Sequence, residues 1–351
     1  MQKNAFSKSA MEFAAQINCG WNLGNSLDVA KGWGGETGWG NPVITKELIQ
    51  AVADKGFNTI RIPVTWDTAF GPAPDCQLDQ DWVSRVREVV DWAIDCGLFV
   101  IVNTHHEGRW LKASGKLTEQ QIREMLDTLH AVWTQIAKAF ASYPEQLILE
   151  GCNEVRDGDD WSGYPAAFEV INRINETFVK AVRAAGGNNA KRYLLLNGYA
   201  AIGTNDVLNA IRLPDDPEKH LMVSAHLYKP ADFSFPPFVS HGKDETVYQT
   251  ADLEETATEA FDMLQTLFVQ KNVPVIIGEM GSVNKNNTAD RVRHVQDYIR
   301  MTGMRGIKCI WWDNNVFGGE GEAFGLLNRE TLEWTFGEVA DAMVEQANRY
   351  C

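Results

Sequence analysis

Two hydrophobic rhythms alternate along the chain. Short, nearly unbroken apolar runs recur at Ile17–Asn25, Asn58–Val64, Phe99–His106, Leu147–Glu154, Tyr193–Asn197, Leu221–Tyr228, Val275–Glu279 and Ile307–Asp313. Runs this short, rich in Val, Ile and Leu, suit strands of a parallel sheet covered on both faces. Between them the apolar positions follow a helical period. Val83, Val86, Val90 and Ala93 mark such a stripe in Asp81–Cys96, which stops at Gly97. The same period predicts helices over Ser7–Gln16, Lys46–Lys55, Thr118–Ser142 with Thr118 as N-cap, Ala166–Ala185, a short stretch after Thr204, Asp252–Gln270, Asp290–Met301 and Phe336–Arg349. A Pro/aromatic loop fills the interval up to Tyr248.

Eight strands alternating with helices predict parallel pairing with right-handed crossovers. Closure into a single (β/α)₈ TIM barrel, with a short N-terminal lead-in helix and extended βα loops, fits the strand count and the 351 residues better than an open sheet. No Pro/Gly/Ser-rich linker divides the chain, so 1–351 is read as one domain. No Gly-rich first turn marks a dinucleotide fold, and no cofactor is expected.

Composition narrows the partners. A formal net charge of -15 argues against nucleic acid and anionic membranes, both of which call for basic patches. No apolar run approaches a membrane span, and no signal peptide is visible in Met1–Ala15. The six cysteines, Cys19, Cys76, Cys96, Cys152, Cys309 and Cys351, lack close spacing and read mainly as buried thiols. A monomer is expected. The twelve tryptophans are many for this length, and several lie in Gly-rich sequence such as Gly32–Gly40, which carries Trp33 and Trp39. Indoles beside a cleft suit flat apolar ligand faces, including sugar rings.

The chemistry gathers where the apolar runs end. Val273-Pro-Val-Ile-Ile-Gly-Glu-Met-Gly281 drives into Glu279, and Leu147-Ile-Leu-Glu-Gly-Cys-Asn-Glu154 drives into Glu154. An unpaired buried charge is costly, so two carboxylates at strand ends suggest a working pair. If the barrel is right, the other polar strand-end residues meet them at the C-terminal face: Asn25, Arg61, His105, His106, Asn153, His226, Tyr228, Trp311 and Trp312. Two carboxylates among aromatic rings meet the needs of glycosidic-bond hydrolysis, in which one carboxyl protonates the leaving oxygen and the other meets charge at the anomeric carbon. Arg61 is expected to keep Glu279 ionised, and the negative Glu279 to raise the pKa of Glu154.

Asn153-Glu154, Ile277-Gly-Glu279-Met, Arg61, His105-His106, His226-Leu-Tyr228 and Trp311-Trp312-Asp-Asn, with Gly20-Trp-Asn-Leu-Gly-Asn25 in the first strand, together resemble glycoside hydrolase family 5, in the clan of retaining barrel glycosidases. The likeness is nearest to its endoglucanases that also take mixed-linkage glucan, xyloglucan or xylan. It implies Glu154 as acid/base, Glu279 as nucleophile and Arg61 as the group orienting it. It also implies Asn153, His105, His226 and Tyr228 around the sugar under attack and Trp312 as its stacking platform, with Asn25 and His106 nearby. Val155 stands where the family usually has proline. Trp33, Trp39, Trp110 and Trp161 are candidates for more distant subsites, with loop packing as the alternative reading. The resemblance implies endo-cleavage of β-1,4-glucan outside the cell, by a secreted enzyme, with xyloglucan, xylan or mannan as alternative main substrates. Two readings of other classes compete: a metal-dependent barrel hydrolase using His105, His106 and His226, and a catalytically silent carbohydrate-binding protein. Against the first, adjacent histidines on a strand point to opposite faces.

Overall fold

Each apolar run becomes a strand whose every side chain, save one or two at its ends, is buried, because helices cover one face and the barrel interior lies against the other. The computed structural model describes residues 6–240 and 244–350; Cys351 and positions 241–243 of the Pro/aromatic loop lie outside them. The order is α1 (Ala10–Ala14), β1 (Cys19–Leu23), α2 (Lys46–Asp54), β2 (Thr59–Ile62), α3 (Gln80–Asp95), β3 (Phe99–Asn103), α4 (Glu119–Ala139), β4 (Leu147–Glu150), α5 (Pro165–Ala184), β5 (Leu194–Ile202), α6 (Asn205–Ala210), β6 (Leu221–His226), α7 (Ala231–Ser234), α8 (Thr250–Leu267), β7 (Val275–Met280), α9 (Thr288–Gly303), β8 (Lys308–Asp313) and α10 (Gly337–Ala347). The strands pair in sequence order, all parallel, and β1 closes on β8 with Cys19 opposite Cys309. This is a (β/α)₈ barrel.

Local chemistry sets the helix starts. Thr118 caps α4 by accepting from the Gln121 N–H at 3.3 Å, while the Gln121 side chain accepts from the Thr118 N–H at 2.9 Å, a reciprocal capping box. Ser9 and Glu12 do the same for α1, which is shorter than the Ser7–Gln16 expectation. That helix packs beneath the barrel. Phe13 stacks on Tyr193 with centroids 3.7 Å apart and meets Phe99 edge-on.

The interior is layered. Ile101, Ile148, Leu195, Met222, Ile276 and Ile310 form an apolar layer continuous with Phe13 and Ile17. Two residues further along their strands, on the same face of the pleat, come Asn103, Glu150 and Asn197; Asn22 on β1 lies opposite Arg61 on β2, and Arg61, in register with Ile101, reaches up to Glu150 with its guanidinium. All five are fully buried. The barrel therefore changes from apolar to polar towards the C-terminal ends of its strands.

Those ends fall earlier than the apolar runs suggest. β1 stops at Leu23, β3 at Asn103, β4 at Glu150 and β6 at His226, so Asn25, His105, His106, Asn153, Glu154 and Tyr228 occupy the first loop positions. Side chains there replace ladder bonds; the Asn103 Oδ1 accepts from the Val64 N–H at 3.1 Å. β5 runs longer than expected, its register shifting between Asn197 and Ile202 where Ala200 and Ala201 adopt positive φ. Cys19, Cys76, Cys152 and Cys309 are buried thiols, as the sequence suggests, and Cys96 is half-buried.

Candidate active site

Arg61 is the hub of the polar layer. Its Nε donates to Glu150 at 2.7 Å, one terminal nitrogen donates to Asn22 at 3.0 Å and Glu279 at 2.8 Å, and the other donates to Asn153 at 2.9 Å. Burial opposes its charge, but Glu150 and Glu279 outweigh burial and raise its pKa above the ordinary value. The charge inside a strand thus has its partners.

Glu279 accepts from Arg61 on one oxygen and from the Tyr228 hydroxyl, at 3.0 Å, on the other. Gly278 before it leaves room for the neighbouring ring: a Cβ there would lie 2.8 Å from Ser224 Oγ and 3.1 Å from His226 Nε2. The His226 Nδ1 stands 2.7 Å from Glu154 Oε1 and 3.6 Å from Glu279 Oε2. One carboxylate oxygen from each glutamate and a ring nitrogen of His226 all fall within 4.8 Å of one another.

The electrostatic order of the pair reverses the expectation from sequence. Burial pushes Glu279 above its ordinary value, with His226 and Arg61 opposing. Burial also acts upward on Glu154, but its hydrogen bond to His226 and that ring's charge prevail and hold it below. For Glu154 the sequence suggests only repulsion from Glu279, and an imidazole at hydrogen-bond distance outweighs it.

His105 is buried, with its ring parallel to Trp312 at 5.8 Å. Asn103 Nδ2 donates both to Glu150, at 3.1 Å, and to His105 Nδ1, at 3.1 Å. Since Asn103 Oδ1 is already an acceptor, this contact makes His105 Nδ1 an acceptor too and leaves its proton on Nε2. Burial keeps the ring neutral, well below its ordinary pKa. Trp312 faces the site, whereas Trp311 is fully buried behind it, donating to the Phe324 carbonyl at 3.0 Å.

His106 is half-buried, its ring 4.5 Å from that of His105 and 5.7 Å from that of Trp39. Trp39 in turn stacks on Trp33 at 6.4 Å, both about half exposed, so this wall extends outward. Trp161 is also exposed, with the Arg156 guanidinium 4.0 Å over its ring. Trp110 is a packing residue, donating to Glu107 at 2.7 Å and meeting Phe70 edge-on. Asn25 does not join the hub: with φ of 57° it turns away from the strand, and its backbone bonds to Asp28 and Asn41. Asn22, three residues earlier, takes that place. Val155 is buried and its carbonyl accepts from the Ala200 N–H at 3.0 Å, which anchors the turn after Glu154 without a proline.

Among the described residues, two groups offer three potential metal-ligand atoms within 4.8 Å: Glu154 with His226 and Glu279, and Asp28 with His105 and His106. The second corrects the objection based on strand alternation. Both histidines lie beyond β3, where a loop turns them to the same side. Sequence reasoning missed Asn22, Asn103, Glu150 and Asn197. For Asn103, Glu150 and Asn197 the common signal is a polar residue two positions beyond an inward apolar one; Asn22 stands two beyond Gly20.

The cellulase (glycosyl hydrolase family 5) model matches residues 24–318. Endoglucanase 1 of Ruminococcus albus is 41% identical over 348 residues, covering 97% of this chain and 82% of that protein. The cellulase/esterase CelE of Acetivibrio thermocellus is 40% identical over 347 residues, and there the chain spans only 40% of the relative's length. Among solved structures, a GH5-4 broad specificity endoglucanase from Ruminococcus champanellensis with bound cellotriose superposes with a TM-score of 0.90 at 40% identity, covering 97% of this chain and all of that one. The chain belongs to glycosyl hydrolase family 5, the cellulase family.

Proposed function

We propose that the protein is a retaining, endo-acting β-1,4-glucanase that cleaves cellulose-type and mixed-linkage β-glucans. The observation that carries the reading is the spacing of Glu154 and Glu279, which have carboxylate oxygens within 4.8 Å across His226. Retaining glycosidases hold their carboxyls about 5 to 5.5 Å apart, whereas inverting ones leave roughly 6.5 to 9.5 Å for a water. Glu279, oriented by Arg61 and Tyr228, attacks the anomeric carbon as the glycosidic C–O bond breaks, and Glu154 gives its proton to the leaving oxygen. A water then attacks the same carbon, its proton passes to Glu154, and Glu279 is released.

Trp312, His105 Nε2–H and the free Asn153 amide are suited to hold the sugar at the reacting carbon. The exposed Trp33–Trp39 pair favours a polymer chain lying along the cleft, with Trp161 as a further platform. A bound cellotriose and broad specificity in the R. champanellensis relative agree with a glucan substrate. Such polymers place the enzyme outside the cell, and one barrel acting as a monomer suffices. The test is Glu279→Gln with soluble β-glucan and cellotriose. Turnover should fall by roughly 10³-fold or more with affinity for cellotriose kept, and wild type should release product first in the β configuration. Unimpaired turnover in the variant, or an α product, would sink the reading.

A further inference from the structure

Beneath the catalytic pair lies a third carboxylate that the proposed reaction does not use. Glu150 ends β4, is fully buried, and meets Arg61 Nε through the oxygen that Asn103 also reaches, at 2.7 and 3.1 Å. Its other oxygen accepts from Asn197 at 3.3 Å. The Asn197 amide also donates to the Asn153 carbonyl at 3.1 Å, in the turn that presents Glu154. Glu279 alone would balance the one positive charge of Arg61. Burying a second carboxylate against the same guanidinium adds desolvation cost without adding a cation, so balance of charge does not explain it.

We propose that Glu150 is a positioning residue for this reaction: it fixes Arg61 from below so that one edge of the guanidinium faces Glu279, and it draws off enough of that positive charge to keep Glu279 a competent nucleophile. An Arg61 that answered only to Glu279 would bind it as a tight ion pair. Such a pair favours the carboxylate form but weakens its attack on carbon. Through Asn103 the same carboxylate fixes His105 with its proton on Nε2, towards the site.

The inference rests on Glu279 being the nucleophile, so the experiment tests both separately. Wild-type enzyme treated with a 2-deoxy-2-fluoro cellobioside should carry the label on Glu279; a label elsewhere defeats the mechanism, whatever Glu150 does. Glu150→Gln is then assayed on 2,4-dinitrophenyl β-cellobioside, whose leaving group departs without a proton, so that the acid limb of kcat/KM reports Glu279. With Glu150 neutral, Arg61 bears on Glu279 alone, and that limb should move down by about one pH unit with roughly a tenfold loss of kcat/KM. Glu150→Asp keeps the charge but withdraws it by a methylene, so it should move the limb the same way by less, and it decides the matter if the Gln variant does not fold. A folded variant with the wild-type acid limb, however slow, would make Glu150 an ordinary buried polar residue and overturn the proposal.

Discussion

His226 decides where the mobile proton of this site rests. Burial disfavours the imidazolium, but Glu279 and Glu154 outweigh it and raise the ring above its ordinary 6.5. Below that raised value the proton therefore lies in the 2.7 Å contact between His226 Nδ1 and Glu154 Oε1. In the proposed reaction, passing it to Glu154 as the substrate binds would ready the general acid without changing the net charge of the cluster. Because the ring's pKa is raised, the proton is held below 6.5 and lost only as pH climbs past the higher value, so the basic limb of activity should lie above pH 6.5. As the proposed nucleophile Glu279 must be ionised, and burial raises it, so the acid limb should lie above 4.5. His226→Ala is expected to pull the basic limb down and cost about 10²-fold in kcat on glucan, but far less on a dinitrophenyl glycoside that needs no acid. A variant with equal losses on both substrates would show that the ring serves only packing. Glu154, Glu279, His226 and Arg61 were all named from the sequence. The holder of the proton was not, because it depends on which carboxylate the ring touches. Glu150 was hidden for a related reason: in Leu147-Ile-Leu-Glu only the register, not the residue type, turns its side chain inward.

The loop after β3 shows the same dependence at the scale of an element. Glu107 is buried and accepts from the Trp66 N–H at 2.6 Å and from the Trp110 indole N–H at 2.7 Å, tying the His105–His106 turn to the segment after β2. Burial pushes its carboxyl up to about 7, against an ordinary 4.5. Between those values the folded protein holds more protons at this residue than the unfolded chain, so its contribution to stability is complete below 4.5 and declines as pH rises to about 7. The interval corresponds to about 3 kcal/mol. Glu107→Gln keeps an acceptor for Trp66 but cannot titrate, so the stability of wild type relative to the variant should drop by that amount between pH 4.5 and 8. Denaturant melts of both proteins across that range measure it, and parallel curves would disprove it. Elements as such were well marked, since a capping pair such as Thr118 and Gln121 or a run such as Val275-Ile-Ile identifies itself locally. Strand ends were not, because β3 stops where the side chain of Asn103 takes over a backbone bond, which is a contact between strands.

Across the whole molecule the barrel separates stability from chemistry along its axis. At the C-terminal face the interior is a network of Arg61, Glu150, Asn103 and Asn197, and at the opposite face it is closed by α1, whose Phe13 lies fully buried against Tyr193 and Phe99. Barrel enzymes concentrate catalytic residues at the first face and use the second for holding the fold. The apolar layer of Ile101, Ile148, Leu195, Met222, Ile276 and Ile310 stands between them, close-packed and free of titratable groups. Phe13→Ala should therefore act on one end alone. Removing a fully buried ring from a stack of this kind costs about 3 to 5 kcal/mol, the lost transfer energy plus the cavity left under the barrel. The denaturant midpoint should fall accordingly, while kcat/KM on soluble glucan, measured well below the lowered melting temperature, should stay within about twofold of wild type because no group touching Glu154 or Glu279 has moved. A tenfold loss of kcat/KM in the folded variant would mean that the plug positions the polar layer through the apolar one, and the two faces would then be coupled.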